Sequence, residues 1–257
     1  MEARQTFDKV ADLYAKVRQG YPVALYGDLG ALGALSPSMR VLEVGCGAGQ
    51  ATVDLAGKVR ELIALDPGAQ LIEAARQRVE NAANVTFVVA NFEDYAAEPA
   101  AFDLIASAQA WHWIPPAVAY AKAADALKAG GWLAVFGHVP MPPPEPFAAA
   151  FKAVVEARFP GAWGQPPPQA AYLPTGPFAG QFEASDRFGP VEHRAYDWSW
   201  TADAETFGQY LRTDSGYHGI PEAQRFELFD ALAAAVDANG GEIALAWQTH
   251  LYAARRL

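Results

Sequence analysis

The sequence is short of cysteine, of basic charge and of long apolar runs, and each shortage closes off a class of protein. With Cys46 as its single cysteine, the chain can form no internal disulfide, and the cytoplasm is its simplest home. Lys and Arg number 19 against 29 Asp and Glu, a net charge of −10. That balance repels phosphate backbones and argues against nucleic acid as the main partner. No apolar stretch reaches the roughly 18 residues of a membrane-spanning helix. Met1 to Gly20 carries charges throughout and has no apolar signal core, so a soluble protein off the membrane is expected. No His, Cys and Asp spacing suggests a metal site. What remains is 257 residues, enough to bury a sizeable core, and one α/β domain with an elaboration is expected.

The stretch from Val41 to Thr52 organises the chain. Val41, Leu42 and Val44 form a short apolar run of β-formers, as in a strand buried on both faces of a parallel sheet. Gly45, Gly47 and Gly49 follow at alternate positions, where they permit backbone angles closed to other residues and let a ligand lie against the main chain. Gln50 to Ala56 then opens a helix, whose free N–H groups favour a carboxylate or phosphate.

The motif Glu43-x-Gly45-x-Gly47-x-Gly49 resembles the first motif of the class I S-adenosylmethionine-dependent methyltransferases, in particular a small-molecule, type 11-like subgroup. The resemblance covers residues 41 to 137 and implies S-adenosylmethionine as cofactor and S-adenosylhomocysteine as product. Glu43, Gly45, Cys46, Gly47, Gly49 and Gln50 then belong to the cofactor loop, with Cys46 there for its small side chain. A nicotinamide or flavin fingerprint, G-x-G-x-x-G, would need glycine where Gln50 stands.

The other expectations follow the chain. Residues 2 to 19 read as an amphipathic helix carrying Phe7, Val10, Leu13, Tyr14 and Val17, and a second helix begins at Tyr21-Pro22. Tyr14-x-x-x-Arg18-x-x-Tyr21-Pro22 resembles the N-terminal element that closes over the cofactor in one subgroup. Arg18 offers a planar fork to the cofactor's carboxylate, its alternative being a snorkelling surface arginine. A second strand, Leu62 to Leu65, ends in Asp66, 21 residues after Gly45, where a carboxylate accepts both ribose hydroxyls of an adenosine. Asp66 also suits the start of a helix at Pro67, and its two oxygens allow both roles. A third strand, Val85 to Val89, leads to Asn91 and Phe92, which match the family's adenine corner. The family often has Asp at the place of Asn91, and Asn at a strand end also reads as a turn residue.

The fourth strand, Phe102 to Ser107, runs into Ala108, Gln109, Trp111, His112 and Trp113. Ligands of open α/β sheets sit at strand carboxyl ends, so this loop should face the methionine part of the cofactor and the reacting methyl. Trp111 and Trp113 are candidate walls over the sulfonium or an aromatic substrate, Trp111 being the substrate-wall candidate, and His112 is a candidate base, against readings of all three as structural. A helix from Pro115 to Lys128, closed by Gly130-Gly131, precedes a fifth strand, Trp132 to Phe136. Five strand–helix units in succession imply a parallel sheet.

Residues 138 to 189, rich in proline, read as an inserted cap anchored by Trp163, Tyr172 and Phe178. Val191 to Trp200 alternates as a sixth, edge strand; 203 to 213 and 221 to 238 read as helices; Ile243 to Arg255 supplies the last strand. Between the two helices, Arg212 to His218 resembles a substrate-side loop, with Tyr217 and His218 as candidates.

The expected whole is a single domain with a Rossmann-like, mostly parallel seven-stranded sheet, its last strand antiparallel, and helices on both faces. Residues 1–36 form a helical flap, 37–137 the cofactor core, 138–189 the cap and 190–257 the closing strands and helices. The strand order is what the resemblance implies. The expected activity is methyl transfer to a small-molecule acceptor, by a monomer or homodimer. Two rivals stand beside it: a cofactor-fold protein that binds without transferring methyl, and an NAD(P)-dependent oxidoreductase.

Overall fold

Val41 and Leu42 are both fully buried yet belong to different apolar cores, because successive residues of a strand point to opposite faces of a sheet. The same split recurs at Leu62 and Ile63, Leu104 and Ile105, and Leu133 and Ala134, so the central strands are covered on both sides. The computed structural model describes residues 8–80, 82–164, 166–214, 217 and 220–257. Helices α1 (Ala11–Val17) and α2 (Val23–Ala31) precede strand β1 (Arg40–Val44). Next come α3 (Thr52–Ala56), β2 (Glu61–Asp66), α4 (Ala69–Arg78), β3 (Val85–Val89), β4 (Phe102–Ala108), α5 (Pro116–Ala126) and β5 (Leu127–Pro140). The chain closes with α6 (Phe147–Arg158), α7 (Phe178–Ala184), β6 (Glu192–Asp203), α8 (Ala204–Arg212), α9 (Glu222–Ala238) and β7 (Glu242–Arg255).

The strand order is β3-β2-β1-β4-β5-β7-β6; the first five are mutually parallel and β7 runs antiparallel to both neighbours. The order reverses between β1 and β4. At such a switch point the loops leaving two neighbouring strands diverge and open a crevice at their carboxyl ends. One face is covered by α5 and α7 through Tyr120, Phe178 and Phe182, and the other by α2 and α3 through Leu25, Leu29 and Leu55.

Three local expectations change. Helix α5 stops at Ala126, and Gly130-Gly131 lies within β5. A Cβ on Gly131 would stand 3.0–3.2 Å from the carbonyls of Lys128, Asp103 and Phe102, so these glycines serve a register shift against β4. No helix joins β3 to β4; residues 90–101 cross in turns, so the run of strand–helix units is interrupted there. Within the described residues the N-terminal helix opens on a 3₁₀ turn at Asp8–Val10 and its α1 part ends at Val17, two residues short of the expected end, while Phe7 lies outside the described residues. Asp8 explains the early turn: its Oδ1 accepts from the backbone N–H of Gln70 (2.6 Å) and Leu71 (3.1 Å), capping α4 from 62 positions away.

The proline-rich segment does not form one body. Phe147 and Phe151 of α6 and Trp163 pack with Phe207 and Leu211 of α8, Phe229 of α9 and Trp247 of β7, whereas Tyr172 and Phe178 pack into the core beneath β5. The reason is the β6–β7 ribbon. Its far end, where Ala202 pairs with Ile243, extends past the last β5 pairing at Trp247 and leaves an apolar face for helices to cover.

Candidate functional site

Three glycines at positive φ leave the carboxyl end of β1, and each has a different reason for lacking a side chain. A Cβ on Gly45 would lie 2.2 Å from Ala110 Cβ, so the loop leaving β4 presses directly on the loop leaving β1. Gly49 lies against α4, its Cβ position 3.2 Å from Ala75 Cα. Only Gly47 has room: its Cβ direction meets Tyr14 and Gln50 at ordinary contact distances of 3.8 and 3.6 Å, and it lines the crevice above the switch point. Helix α3 begins at Thr52, two residues later than its sequence suggests.

Asp66 closes β2 and fixes this loop. Its Oδ2 accepts from the Gly47 N–H (2.9 Å) and its Oδ1 from the Gly68 N–H (2.8 Å). It is therefore not the cap of α4, a role that Asp8 takes. Burial pushes its carboxyl up to about 6, with the Gly68 and Gly47 N–H groups acting the other way. Each oxygen retains a lone pair, and the residue lines the crevice.

That crevice encloses about 880 Å³, its open mouth included. Besides Gly45, Gly47 and Asp66 its walls hold Tyr14, Arg18, Pro67, Asn91, Phe92, Ala108, Gln109 and His112, eleven of the residues that the sequence singles out. Asn91 donates through Nδ2 to Asp94 (3.0 Å), and Phe92 is buried against Trp111 with ring centroids 5.8 Å apart. Gln109 adopts a positive φ of 58°. Its side chain holds the β5 backbone in both directions, accepting from His138 N–H (2.6 Å) and donating to His138 C=O (3.3 Å). These bonds offset the backbone strain.

A second, inner cleft, about 600 Å³ with its open mouth included, adjoins the first and shares Tyr14, Arg18, Gly45, Gly47, Ala108, Gln109 and Gln169 with it. Cys46 and Gln50 line this inner cleft alone. Arg18 stands between the two clefts and is tied across the fold: Nε and Nη2 donate to Thr213 Oγ1 (2.9 Å) and C=O (2.6 Å), and Nη1 to Tyr210 Oη (3.3 Å). Of its five N–H donors these bonds use three.

Several singled-out residues lie elsewhere. Glu43 is fully buried on β1 and lines neither cleft; its oxygens have no partner in bonding geometry. Burial pushes its carboxyl up to about 8, the neighbouring Thr52 hydroxyl acting the other way. Gly49 faces α4. Trp111, 1 % exposed, turns into the core against Tyr120, so the wall of the cleft is formed by Trp113 beside it. Tyr217 packs edge-on to Phe229 in the helical cluster and lines neither cleft, and His218 lies outside the described residues. His112 does line the outer cleft, its Nδ1 3.2 Å from Tyr172 Oη, and burial lowers its pKa to about 4. It is uncharged at neutral pH.

Sequence reasoning missed Gln169, Tyr210, Trp247 and His138, all lining the inner cleft. The alternation of β6, which puts Trp198 and Trp200 on one face, was the signal available; the register that sets Trp198 opposite Trp247 was not. Among the described residues no helix is long and apolar enough to cross a membrane, and no cluster of His, Cys, Asp or Glu is placed to hold a metal ion.

The geometry agrees with what comparison finds. A family model described as a methyltransferase domain matches residues 41–131, from β1 into β5. A putative type II methyltransferase of Anaeromyxobacter dehalogenans superposes with a TM-score of 0.63 at 26 % identity, covering 93 % of this chain and 97 % of that one. An uncharacterized methyltransferase of Mycobacterium bovis is 28 % identical over 130 residues, half of each chain. A ubiquinone biosynthesis O-methyltransferase of Xanthomonas campestris is 35 % identical over 100 residues, 38 % of this chain and 42 % of its own. The chain thus spans about half the length, or less, of these curated relatives.

Proposed function

We propose that this chain, which belongs to the class I S-adenosylmethionine-dependent methyltransferases, moves the cofactor's methyl group to a small-molecule acceptor seated in the inner cleft. The observation that carries the reading is the confluence of two clefts above the β1/β4 switch point: one lined by adenosine-type partners, the other aromatic, meeting beside Gly47.

The residues fit the cofactor. Asp66 has lone pairs left for two ribose hydroxyls, while Phe92, Pro67, Leu71 and Ile114 offer apolar surface to a flat base with Asn91 at its edge. Gly47 leaves bare backbone for the methionine part, and Arg18 keeps two N–H groups for its carboxylate. When bound, the cofactor supplies a methyl on a sulfonium, an activated leaving group. The protein's part is to align the two molecules and exclude competing water, a contribution of about 7–11 kcal/mol where alignment is good. His112, uncharged at neutral pH, places no positive charge beside the sulfonium. The acidic balance of the chain favours a small acceptor over nucleic acid, and we place its action in the cytoplasm, as a monomer or homodimer.

Calorimetric titration with S-adenosylmethionine, S-adenosylhomocysteine and NAD, followed by methyl transfer to a metabolite panel, tests this. Binding of the first two with transfer is expected. Binding of NAD alone returns an oxidoreductase, and binding without transfer to any acceptor returns a protein that only holds the cofactor.

A further inference from the structure

We infer that the inner cleft selects a planar aromatic acceptor, uncharged or anionic, that presents an O–H or N–H donor to Gln169. The inference rests on the methyltransferase reading and adds the acceptor's chemical class.

The cleft is walled by ring faces. Trp198 of β6 and Trp247 of β7 are directly paired in register, their rings 18° from parallel at 5.6 Å. Tyr21 stacks on His138 at 4.3 Å and 21°, and Tyr210 meets Trp247 edge-on at 5.8 Å. Flat, rigid walls of this kind favour a flat guest through offset stacking and edge contacts. These walls are also fixed in place: Thr249 Oγ1 of β7 accepts from Trp198 Nε1 (2.9 Å) and bonds His138 Nδ1 (2.8 Å), tying rings of β6 and β5 to one hydroxyl.

An aromatic box also suits an ammonium ion, but two observations turn this one against cations. No Asp or Glu is among the described residues lining the inner cleft, where Arg18 is the charged side chain. Its guanidinium already lies over the Tyr210 ring at 4.5 Å and over Tyr14 at 5.2 Å, so the cation-binding ring faces there are taken and a second positive charge is repelled. Burial holds the His138 imidazole uncharged, which leaves it a ring face.

Gln169 sets the orientation. It follows the proline-rich stretch, is 6 % exposed, lines both clefts, and its Oε1 has no hydrogen-bond partner. A buried amide oxygen at the junction costs free energy until a donor reaches it. An acceptor O–H or N–H bonded there places its own lone-pair atom at the junction, while its ring lies back against Trp198 and Trp247.

The test uses protein saturated with S-adenosylhomocysteine, with tryptophan fluorescence and calorimetry as readouts. The probes are 2-naphthol, naphthalene, 4-hydroxybenzoate, cyclohexanol and tetramethylammonium. The aromatic probes should bind at least tenfold tighter than cyclohexanol or tetramethylammonium, and 2-naphthol tighter than naphthalene. Trp198→Ala should weaken 2-naphthol about tenfold while changing the S-adenosylhomocysteine affinity less than twofold. Gln169→Leu should abolish the preference for 2-naphthol over naphthalene. If Trp198→Ala does not fold, the ranking of probes by the unsubstituted protein decides alone. Equal or tighter binding of tetramethylammonium or cyclohexanol overturns the inference, as does a Trp198→Ala protein that binds 2-naphthol normally. Failure of the unsubstituted protein to bind S-adenosylhomocysteine is a separate result, which overturns the methyltransferase reading itself.

Discussion

Two buried carboxylates, Asp66 and Glu43, lie 23 positions apart on neighbouring strands and do different work. Asp66 is held by two loop N–H groups and faces the outer cleft, and a ribose hydroxyl would donate to its ionised form. With its carboxyl raised to about 6, the ionised fraction grows as pH climbs through that value. Affinity for S-adenosylhomocysteine should therefore rise between pH 5 and pH 7, by calorimetry. Asp66→Asn should bind roughly ten- to a hundredfold more weakly at pH 7.5, the equivalent of about 1.5–3 kcal/mol, and lose that pH dependence. Glu43 faces no cleft, and its two unpartnered oxygens make its charge costly. Its folded value, about 8, lies above the ordinary 4.5, so the folded protein binds the proton more tightly than the unfolded chain between those limits. Stability should fall as pH rises from about 4.5 to 8. Glu43→Gln should flatten that slope and gain stability on the order of a few kcal/mol above pH 8, by chemical denaturation.

At the scale of the element, the glycine loop separates a packing requirement from a binding one. Alanine at Gly45 brings two Cβ atoms to 2.2 Å at a φ of 73°, a collision between loops of two central strands. Gly45→Ala should lose at least about 3 kcal/mol of stability or fail to fold. Alanine at Gly47 meets no collision, and its φ of 55° costs about 1–2 kcal/mol. Gly47→Ala should fold, with a melting temperature lowered by a few degrees, and lose S-adenosylhomocysteine binding because its methyl stands in the cleft. Equal cofactor affinity in Gly47→Ala and the unsubstituted protein would show that nothing lies against that backbone. The loop was legible because a run of apolar β-formers followed by alternating glycines has few other uses. The separate reasons for Gly45 and Gly49 were not, since Ala110 and Ala75 approach only once β4 and α4 are in place.

On the scale of the whole molecule, Arg18 joins the N-terminal segment to α8. It leaves α1, reaches Thr213 and Tyr210 at the end of α8, and stands where the clefts meet; Arg78 of α4 holds the Ala15 carbonyl on the other side of the same segment. A ligand in the outer cleft should therefore order the N-terminal segment and residues 204–214 together. Hydrogen exchange should show both protected on adding S-adenosylhomocysteine. Arg18→Ala should keep protection in residues 45–49 and lose it in 204–214.

The sequence by itself determined the order of strands along the chain, the glycine loop after the first strand, the place of Asp66 at the end of the second and the turn at Asn91 and Phe92 after the third, because each rests on a local pattern: apolar runs, glycine spacing, or a fixed interval from one strand end to the next. Only tertiary structure decided the rest. Trp111 and Trp113 differ by two positions, and the turn after β4 sends the first into the core and the second to the cleft. Asp8 caps a helix 62 positions away, and Trp198 finds Trp247 across a hairpin that encloses two helices. Gln169, in a stretch with no periodicity to read, is carried to the junction of the clefts by packing alone. Local patterns fix what a segment is; which side chains share a space is set by crossings and registers between segments far apart in sequence, and the inner cleft consists almost entirely of such meetings.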